Sequence, residues 1–295
     1  MAHALTDNSI ALHYEVAGHD GTPILFVHEF AGDHRSWEPQ VSRFSRSHQC
    51  ITYAARGYPP SDVPDDRAAY SQSRAVADAL AVLDHVEVDS AHIVGLSMGG
   101  FTALHLALRH PERCLSAVIA GVGYGAHADT REAFRAECEV IALAFETDGS
   151  EGVAARYAEG PARVQFQNKD RRGWETFARR LAEHSPLGSA LTMRGVQKAR
   201  PSIYDYTDEM TRSDVPILIV NGDEDDACLE AGLMMKRTIP TAGLLVVPRT
   251  GHTINLEEPE MFNNALASLF ELAEAGAWTP RDPRTRVASA TGMNG

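Results

Sequence analysis

The sequence predicts an α/β fold, with a mostly parallel central sheet flanked by helices. Six short apolar runs have the length and continuity of strands that are buried on both faces. Strands that alternate with helical segments form parallel sheets through right-handed crossovers. A glycine-rich turn at residues 95–100 joins one apolar run directly to a helical pattern. The six runs lie at residues 24–27, 50–54, 93–94, 115–119, 216–220 and 244–247.

The segments around these runs have patterns of their own. Residues 10–16 alternate apolar and polar side chains, which is typical of a half-exposed antiparallel strand. Residues 56–66 contain one glycine and three prolines, so they form a loop. Apolar residues at helical spacing predict helices at residues 37–44, 73–83, 98–110 and 259–273, and another that ends near residue 237.

A helical insertion interrupts the alternation between the fourth and fifth runs. Residues 124–211 show helical patterning without a buried strand, and their 12 basic and 14 acidic residues nearly balance. We expect this segment to form a cap over the carboxyl edge of the sheet, where such folds bind ligands. The predicted core then comprises residues 1–123 and 212–277. Residues 278–295 are rich in Pro, Arg, Ser and Gly and predict a flexible tail.

Composition excludes several classes of partner. The net charge of −13 opposes binding to nucleic acid and to anionic lipid surfaces. The four cysteines lack C-x-x-C spacing, which favours free thiols in a reducing compartment. The first ten residues do not resemble a secretory signal, and no run approaches the ~18 apolar residues of a membrane span. We therefore expect a cytoplasmic protein that acts on a small molecule. A homo-oligomer is compatible with the sequence, which does not determine the oligomeric state.

Ser97 is the candidate nucleophile. Glycines stand two residues before it and two residues after it, in the pattern G-x-S-x-G. This pattern describes a sharp turn from strand to helix, where a Cβ or a bulky side chain does not fit next to the serine. The helix that follows directs its unpaired N–H groups toward the atom that the serine attacks. A serine between glycines also occurs in plain turns, so the motif requires partners.

A serine hydroxyl needs a base, and the base needs a group that orients it. His252 directly follows the last apolar run, so it lies on a loop at the same sheet edge as Ser97. The preceding run is followed by four carboxylates at residues 223–226. Asp223 can serve the turn itself and Asp226 can cap the next helix, so Asp225 is the favoured orienting residue.

With these motifs in order, the chain resembles α/β-hydrolases of the esterase, lactonase and carbon-carbon hydrolase group over residues 10–275. In that family the nucleophile comes first along the chain, then the acid, then the histidine, and Ser97, Asp225 and His252 reproduce this order. Its G-x-x-D motif matches residues 222–225, and its R-G-x-G-x-S-D loop is approximated by residues 56–62. The resemblance implies an α/β-hydrolase fold with a helical cap and a catalytic triad.

The resemblance also implies an oxyanion hole formed by the backbone N–H groups of Phe30 and Met98. The family has a glycine after its histidine, but here Glu29 follows His28. Glu29 either pairs with an arginine away from the site or lies near the pocket and disfavours anionic acyl groups. Besides Glu29, the candidate substrate-binding residues are aromatic. They are Tyr124 and Trp174, chosen from a set that also includes Phe134, Phe145, Tyr157 and Phe166.

A metal site is a weaker interpretation of the same loop. His28 and Glu29, with Asp33 and His34, superficially resemble a zinc site, but zinc proteases need H-E-x-x-H on one helix face. The chain also lacks a P-loop and a dinucleotide-binding fingerprint. We therefore expect no metal and no cofactor.

The leading hypothesis is a serine hydrolase that cleaves a carboxylic ester through an acyl-enzyme on Ser97. Small or medium acyl esters, lactones and polyester oligomers are the candidate substrates. Within the same fold, the alternative is hydrolysis of a carbon-carbon or amide bond in the catabolism of aromatic compounds. The alternative from another class is a non-catalytic receptor that binds a small molecule under the cap.

Overall fold

Eight strands form one mostly parallel sheet in the computed structural model of the protein, which describes residues 2–286. The predicted α/β architecture is confirmed. The strands are β1 (Ala2–Leu5), β2 (Ala11–Ala17), β3 (Pro23–Val27), β4 (Gln49–Tyr53), β5 (Ala91–Leu96), β6 (Cys114–Ala120), β7 (Ile217–Gly222) and β8 (Ala242–Val247).

The strand order is β1-β2-β4-β3-β5-β6-β7-β8. Strand β2 is antiparallel to both of its neighbours, and every pair from β4 to β8 is parallel. Strand β1 has no counterpart in the sequence analysis. It is four residues long, pairs on one side only and buries only Ala4 fully, so its sequence carries almost no apolar pattern.

The described chain contains eleven α-helices. Helix α2 begins where the Ser71 hydroxyl accepts a hydrogen bond from the Arg74 N–H at 3.1 Å. The helices are α1 (Glu38–Phe44), α2 (Gln72–His85), α3 (Met98–Arg109), α4 (Ala128–Tyr157), α5 (Val164–Lys169), α6 (Arg171–Ala182), α7 (Pro186–Thr192), α8 (Thr207–Met210), α9 (Asp226–Thr238), α10 (Ile254–Glu257) and α11 (Pro259–Glu274).

Both faces of the sheet are buried. Leu25 and Ile93 point into the apolar cluster on one face, whereas Phe26 and Val94 point into the cluster on the other. All four are fully buried, as the alternation of side chains along a strand requires. Each such side chain contributes about 1.5–3 kcal/mol by leaving water, so the central strands form a rigid base for the loops at their ends.

Helices α4 to α8 form the insertion between β6 and β7, within the segment predicted to be helical. Helix α4 is broken at Gly149, whose φ is +70°. The insertion packs on the carboxyl edge of the sheet, where Phe30 and Met98 belong to the same apolar cluster as Phe145 and Phe166. The residues that follow β3 and β5 are therefore covered by the insertion.

The end of the described chain is attached to the sheet. The Trp278 indole N–H donates to the Thr241 carbonyl at 2.7 Å, and the Arg281 N–H donates to the Pro240 carbonyl at 2.9 Å. These contacts involve the first residues of the predicted tail. Residues 287–295 lie outside the described chain. Within residues 2–286, none of the helices is both long and apolar enough to cross a bilayer.

Candidate active site

Ser97 occupies a sharp turn between β5 and α3. Its φ is +53°, a left-handed conformation that a residue with a side chain rarely adopts. A Cβ on Gly95 would lie 2.1 Å from the Gly99 carbonyl oxygen, and a Cβ on Gly99 would lie 1.9 Å from that of Val27. Only glycine fits these two positions, so the turn raises Ser97 above the sheet edge.

His252 and Asp225 form a hydrogen-bonded pair at the same edge. The His252 Nδ1 lies 2.7 Å from the Asp225 Oδ2, and both side chains are buried. Asp225 follows β7 and His252 follows β8. Because the partner is a carboxylate, Nδ1 carries the proton, and the second ring nitrogen, Nε2, remains free to accept one.

The environment keeps Asp225 ionised. Burial by itself raises the pKa of this carboxyl, but the His252 imidazole and the adjacent Cys228 and Tyr124 side chains lower the pKa to about 2. The Cys228 thiol lies within 4.8 Å of the pair, and burial beside Asp225 raises the pKa of the thiol well above its ordinary value. Cys228 is therefore a neutral neighbour, one that sequence reasoning did not single out.

The neighbouring carboxylates have other positions. The Asp223 Oδ1 accepts a hydrogen bond from the Thr250 N–H at 3.1 Å and so joins the two loops that carry Asp225 and His252. Asp226 is the first residue of α9. Asp225 is thus the residue of this acidic segment that contacts His252.

The loop after β3 is held by hydrogen bonds on both sides of Phe30. The His28 Nδ1 donates to the Glu29 carbonyl at 2.7 Å, and the His28 Nε2 accepts from the Ala55 N–H at 3.0 Å. Burial lowers the pKa of His28, which keeps its ring neutral. The Tyr58 hydroxyl donates to the Phe30 carbonyl at 3.0 Å. These bonds define the path of the loop that carries the Phe30 N–H.

Met98 supplies the second candidate donor. It is the first residue of α3, so its N–H has no acceptor within the helix. The Ser97 N–H, in contrast, donates to the Ala120 carbonyl at 2.8 Å and ties the turn to β6.

A cavity of about 580 Å³ lies between this sheet edge and the insertion. Ser97, His252 and Phe30 line its base. Most of the wall comes from the insertion and is apolar or aromatic, with a few charged side chains at its sides and rim. The wall includes Tyr124, Phe134, Ile141, Val153, Tyr157 and Met193.

Comparison with known proteins assigns the family. The family described as "alpha/beta hydrolase fold" matches residues 22–259. This chain belongs to the alpha/beta hydrolase family. It is 26% identical to 3-oxoadipate enol-lactonase 2 of Acinetobacter baylyi over 274 residues, which cover 90% of this chain and 96% of the relative. The resemblance to α/β-hydrolases in the sequence is confirmed.

Solved structures of two other proteins have the same fold. An enol-lactonase from Burkholderia xenovorans superposes with a TM-score of 0.79 at 22% identity, covering 92% of this chain and 100% of that chain. A thermophilic esterase from Thermogutta terrifontis also gives 0.79, at 24% identity, covering 92% of this chain and 98% of that chain. The hydrolase is therefore similar to lactonases and esterases, at distant identity.

Glu29 replaces the glycine of the family's motif and has a buried partner from the insertion. The Arg163 Nη2 lies 2.5 Å from the Glu29 Oε2, and each side chain is 2% exposed. Arg163 also donates to the Thr253 hydroxyl at 3.0 Å. Burial by itself lowers the pKa of Arg163, but the adjacent carboxylate raises it. Glu29 thus pairs with an arginine, as one of the two expectations states, but the pair does not lie away from the site, because Arg163 lines the cavity.

The aromatic candidates separate into two groups. Tyr124 lines the cavity, and its ring lies edge-on to that of His252 at 5.2 Å between centroids. Trp174 does not line it: its indole N–H donates to the Ala158 carbonyl at 2.7 Å, inside the insertion. Phe145 and Phe166 are fully buried in the insertion core. A helical pattern shows that these residues are buried, but it does not show which of them reach a cavity.

The loop at residues 56–62 has a structural role in this hydrolase. Arg56 forms a buried ion pair with Asp78. The Ser61 hydroxyl donates to the Ala54 carbonyl at 2.7 Å and accepts from the His13 N–H at 2.8 Å. None of these residues lines the cavity.

The histidines of the suspected metal loop point in different directions. His34 lies near His13 instead of His28, and the Nε2 atoms of His13 and His34 lie 3.4 and 3.6 Å from the Glu15 Oε1. Imidazoles that bind metals are usually oriented through their second nitrogen. The Nδ1 atoms of His13 and His34 are buried without hydrogen-bond partners in the described chain. We assign no metal to this cluster.

Proposed function

We propose that the protein is a serine hydrolase that cleaves carboxylic esters, including lactones, through an acyl-enzyme on Ser97. The observation that carries the proposal is the 2.7 Å hydrogen bond between an ionised Asp225 and His252, which lines the cavity together with Ser97. A strained serine, an oriented imidazole and a carboxylate are the components that acyl transfer requires.

In the proposed reaction the Ser97 hydroxyl attacks the carbonyl carbon while the His252 Nε2 takes its proton. The Asp225 carboxylate stabilises the imidazolium that forms, and the N–H groups of Phe30 and Met98 donate to the developing oxyanion. His252 then returns the proton to the leaving alcohol, which departs as the C–O bond breaks. Water attacks the acyl-enzyme with His252 again as the base, and the acid product leaves.

The cavity and the relatives support an ester or a lactone as the substrate. A volume of about 580 Å³ suits a small molecule with a small or medium acyl chain, or the end of a polyester oligomer. The matched relatives are named as an enol-lactonase and an esterase. The apolar wall fits an acyl chain.

A fluorophosphonate probe tests the nucleophile, since it labels only an activated serine. We expect labelling of the wild-type protein, none of Ser97→Ala, and full labelling of Ser42→Ala, in which an exposed serine on α1 is removed. Folded protein that binds small ligands without labelling would indicate a receptor instead.

A substrate panel tests the bond that is cleaved. We expect the highest kcat/KM on esters or lactones, with turnover lost in Ser97→Ala. Turnover of amides or carbon-carbon bonds alone would contradict the ester assignment, but it would leave Ser97 as the proposed nucleophile.

A further inference from the structure

A second buried arginine, Arg200, lines the same cavity as Ser97 and His252. It is 5% exposed. Arg163, also in the cavity wall, is neutralised by Glu29. The ionisable groups that interact with Arg200 are the thiols of Cys138 and Cys228, Arg131, and His105, whose pKa burial lowers to about 4. Among residues 2–286, no carboxylate lies within ion-pairing distance of Arg200. Arg200 therefore carries a buried positive charge in the cavity wall that no carboxylate of the described residues compensates.

The guanidinium of Arg200 is held in place by neutral groups. Its Nη1 donates to the Gln197 side-chain oxygen, and its Nη2 donates to the Tyr124 carbonyl at 2.8 Å. The Phe101 ring stacks on it at 3.7 Å, and the Phe134 ring lies 5.4 Å away. Gln197, Tyr124 and Phe134, which contact the guanidinium, also line the cavity. Arg200 borders a second cavity as well, together with His105 and Tyr206.

An isolated buried charge is costly unless another group compensates it. Burial lowers the pKa of Arg200 to about 9, so the side chain still carries its charge at neutral pH. A guanidinium has five N–H donors, and the neutral acceptors named above use two of them. The remaining donors and the charge can be satisfied by an anion inside the cavity.

We propose that Arg200 binds a carboxylate of the substrate, at a position remote from the scissile ester. The planar guanidinium fork matches the geometry of a carboxylate and can bind it through two hydrogen bonds. The proposal rests on the proposed serine hydrolase function and narrows its substrates to anionic esters or lactones. Since Arg163 neutralises Glu29, that carboxylate does not repel such a substrate.

Two aryl esters with equal acyl chains test this proposal: 4-nitrophenyl hexanoate, which is neutral, and mono-4-nitrophenyl adipate, which ends in a carboxylate. We expect Arg200→Gln to lower kcat/KM for the adipate ester by about 10- to 100-fold, the range for a lost charged hydrogen bond. We expect a change of less than about threefold for the hexanoate ester, because Ser97 and its partners are intact. Arg200→Lys is expected to retain part of the preference.

Arg156 is the matched control. It lines the same cavity, but its side chain is 64% exposed and is paired with Asp148. Arg156→Gln removes one positive charge from the rim, and we expect it to change the ratio of the two kcat/KM values by less than about threefold. A thermal melt of each variant verifies that it is folded.

Equal losses of kcat/KM on both esters in Arg200→Gln would overturn the carboxylate site and indicate a structural role. Unchanged kcat/KM on both esters would overturn it as well. If wild-type protein hydrolyses neither ester and no probe labels Ser97, the proposed function has failed. Titration of both esters into Ser97→Ala and Ser97→Ala/Arg200→Gln then tests Arg200 through binding alone. If Ser97→Ala binds the adipate ester more tightly than the hexanoate ester and the double variant does not, the site is supported. If Ser97→Ala binds both esters equally, the site is overturned.

Discussion

The sheet edge and the helical insertion contribute to the cavity in different ways. At the sheet edge, short loops after β5, β7 and β8 carry Ser97, Asp225 and His252, and strands buried on both faces hold these loops. Ser97 and His252 line the cavity, and Asp225 contacts His252. The insertion contributes apolar and aromatic side chains and two buried arginines, Arg163 and Arg200. In the proposed hydrolase, the sheet edge therefore carries the reacting groups and the insertion selects the substrate.

The largest expected effect concerns the sheet edge. Asp225→Asn removes the charge that stabilises the His252 imidazolium and disturbs the tautomer, so we expect kcat on an ester to fall by about 10⁴-fold. Stopped-flow or long-time steady-state assays measure this loss. Asp226→Asn, one residue away and without contact to His252, is the control and is expected to keep kcat within about twofold. Equal activity of the two variants would remove Asp225 from the proposed triad.

The next largest effect concerns the junction between the two regions. Glu29→Gln leaves Arg163 buried without a countercharge, so we expect the free energy of unfolding to fall by about 3 kcal/mol. Urea denaturation measures it. Glu38→Gln breaks a second ion pair between core and insertion, with Arg180, but Glu38 is 64% exposed. We expect a loss below about 1 kcal/mol for that variant. If the two losses are similar, burial does not distinguish the two ion pairs.

A smaller effect follows from the pKa of Asp225. In the folded protein this pKa is about 2, compared with an ordinary value of 3.8. Between these values the unfolded chain binds a proton that the folded protein does not, so stability falls as the pH falls through this window. We therefore expect the stability advantage of wild-type protein over Asp225→Asn to shrink from pH 4 to pH 2. Unfolding curves at several pH values measure it, and a constant difference would contradict the depressed pKa.

The smallest effect concerns Trp174, which belongs to the insertion but not to the cavity. Trp174→Phe removes the hydrogen bond to the Ala158 carbonyl, and we expect it to cost about 1 kcal/mol of stability. We expect kcat/KM to change by less than about twofold. Thermal melts and ester assays on the same sample measure both quantities. A large change in kcat/KM with unchanged stability would place Trp174 at the substrate.

Much of the fold was predictable because its signals are local. The apolar runs of β3 to β8 are continuous, and Gly95 is required by the backbone of Gly99, four residues away. Strand β1 was missed because four residues at an edge bury too little apolar surface to show a pattern. Cys228 was missed as well, since a lone cysteine in a helix gives no signal of the carboxylate beside it.

The sequence by itself determined the parallel sheet, the helical insertion and the placement of Ser97, Asp225 and His252 at strand ends. Residues that follow parallel strands must meet at one edge, so local patterns were enough. Only the tertiary structure decided that Glu29 meets Arg163, 134 residues away, and that Arg200 has no carboxylate partner among residues 2–286. The reason is physical: pairing of buried charges depends on how the insertion packs on the sheet, and no local pattern encodes that packing.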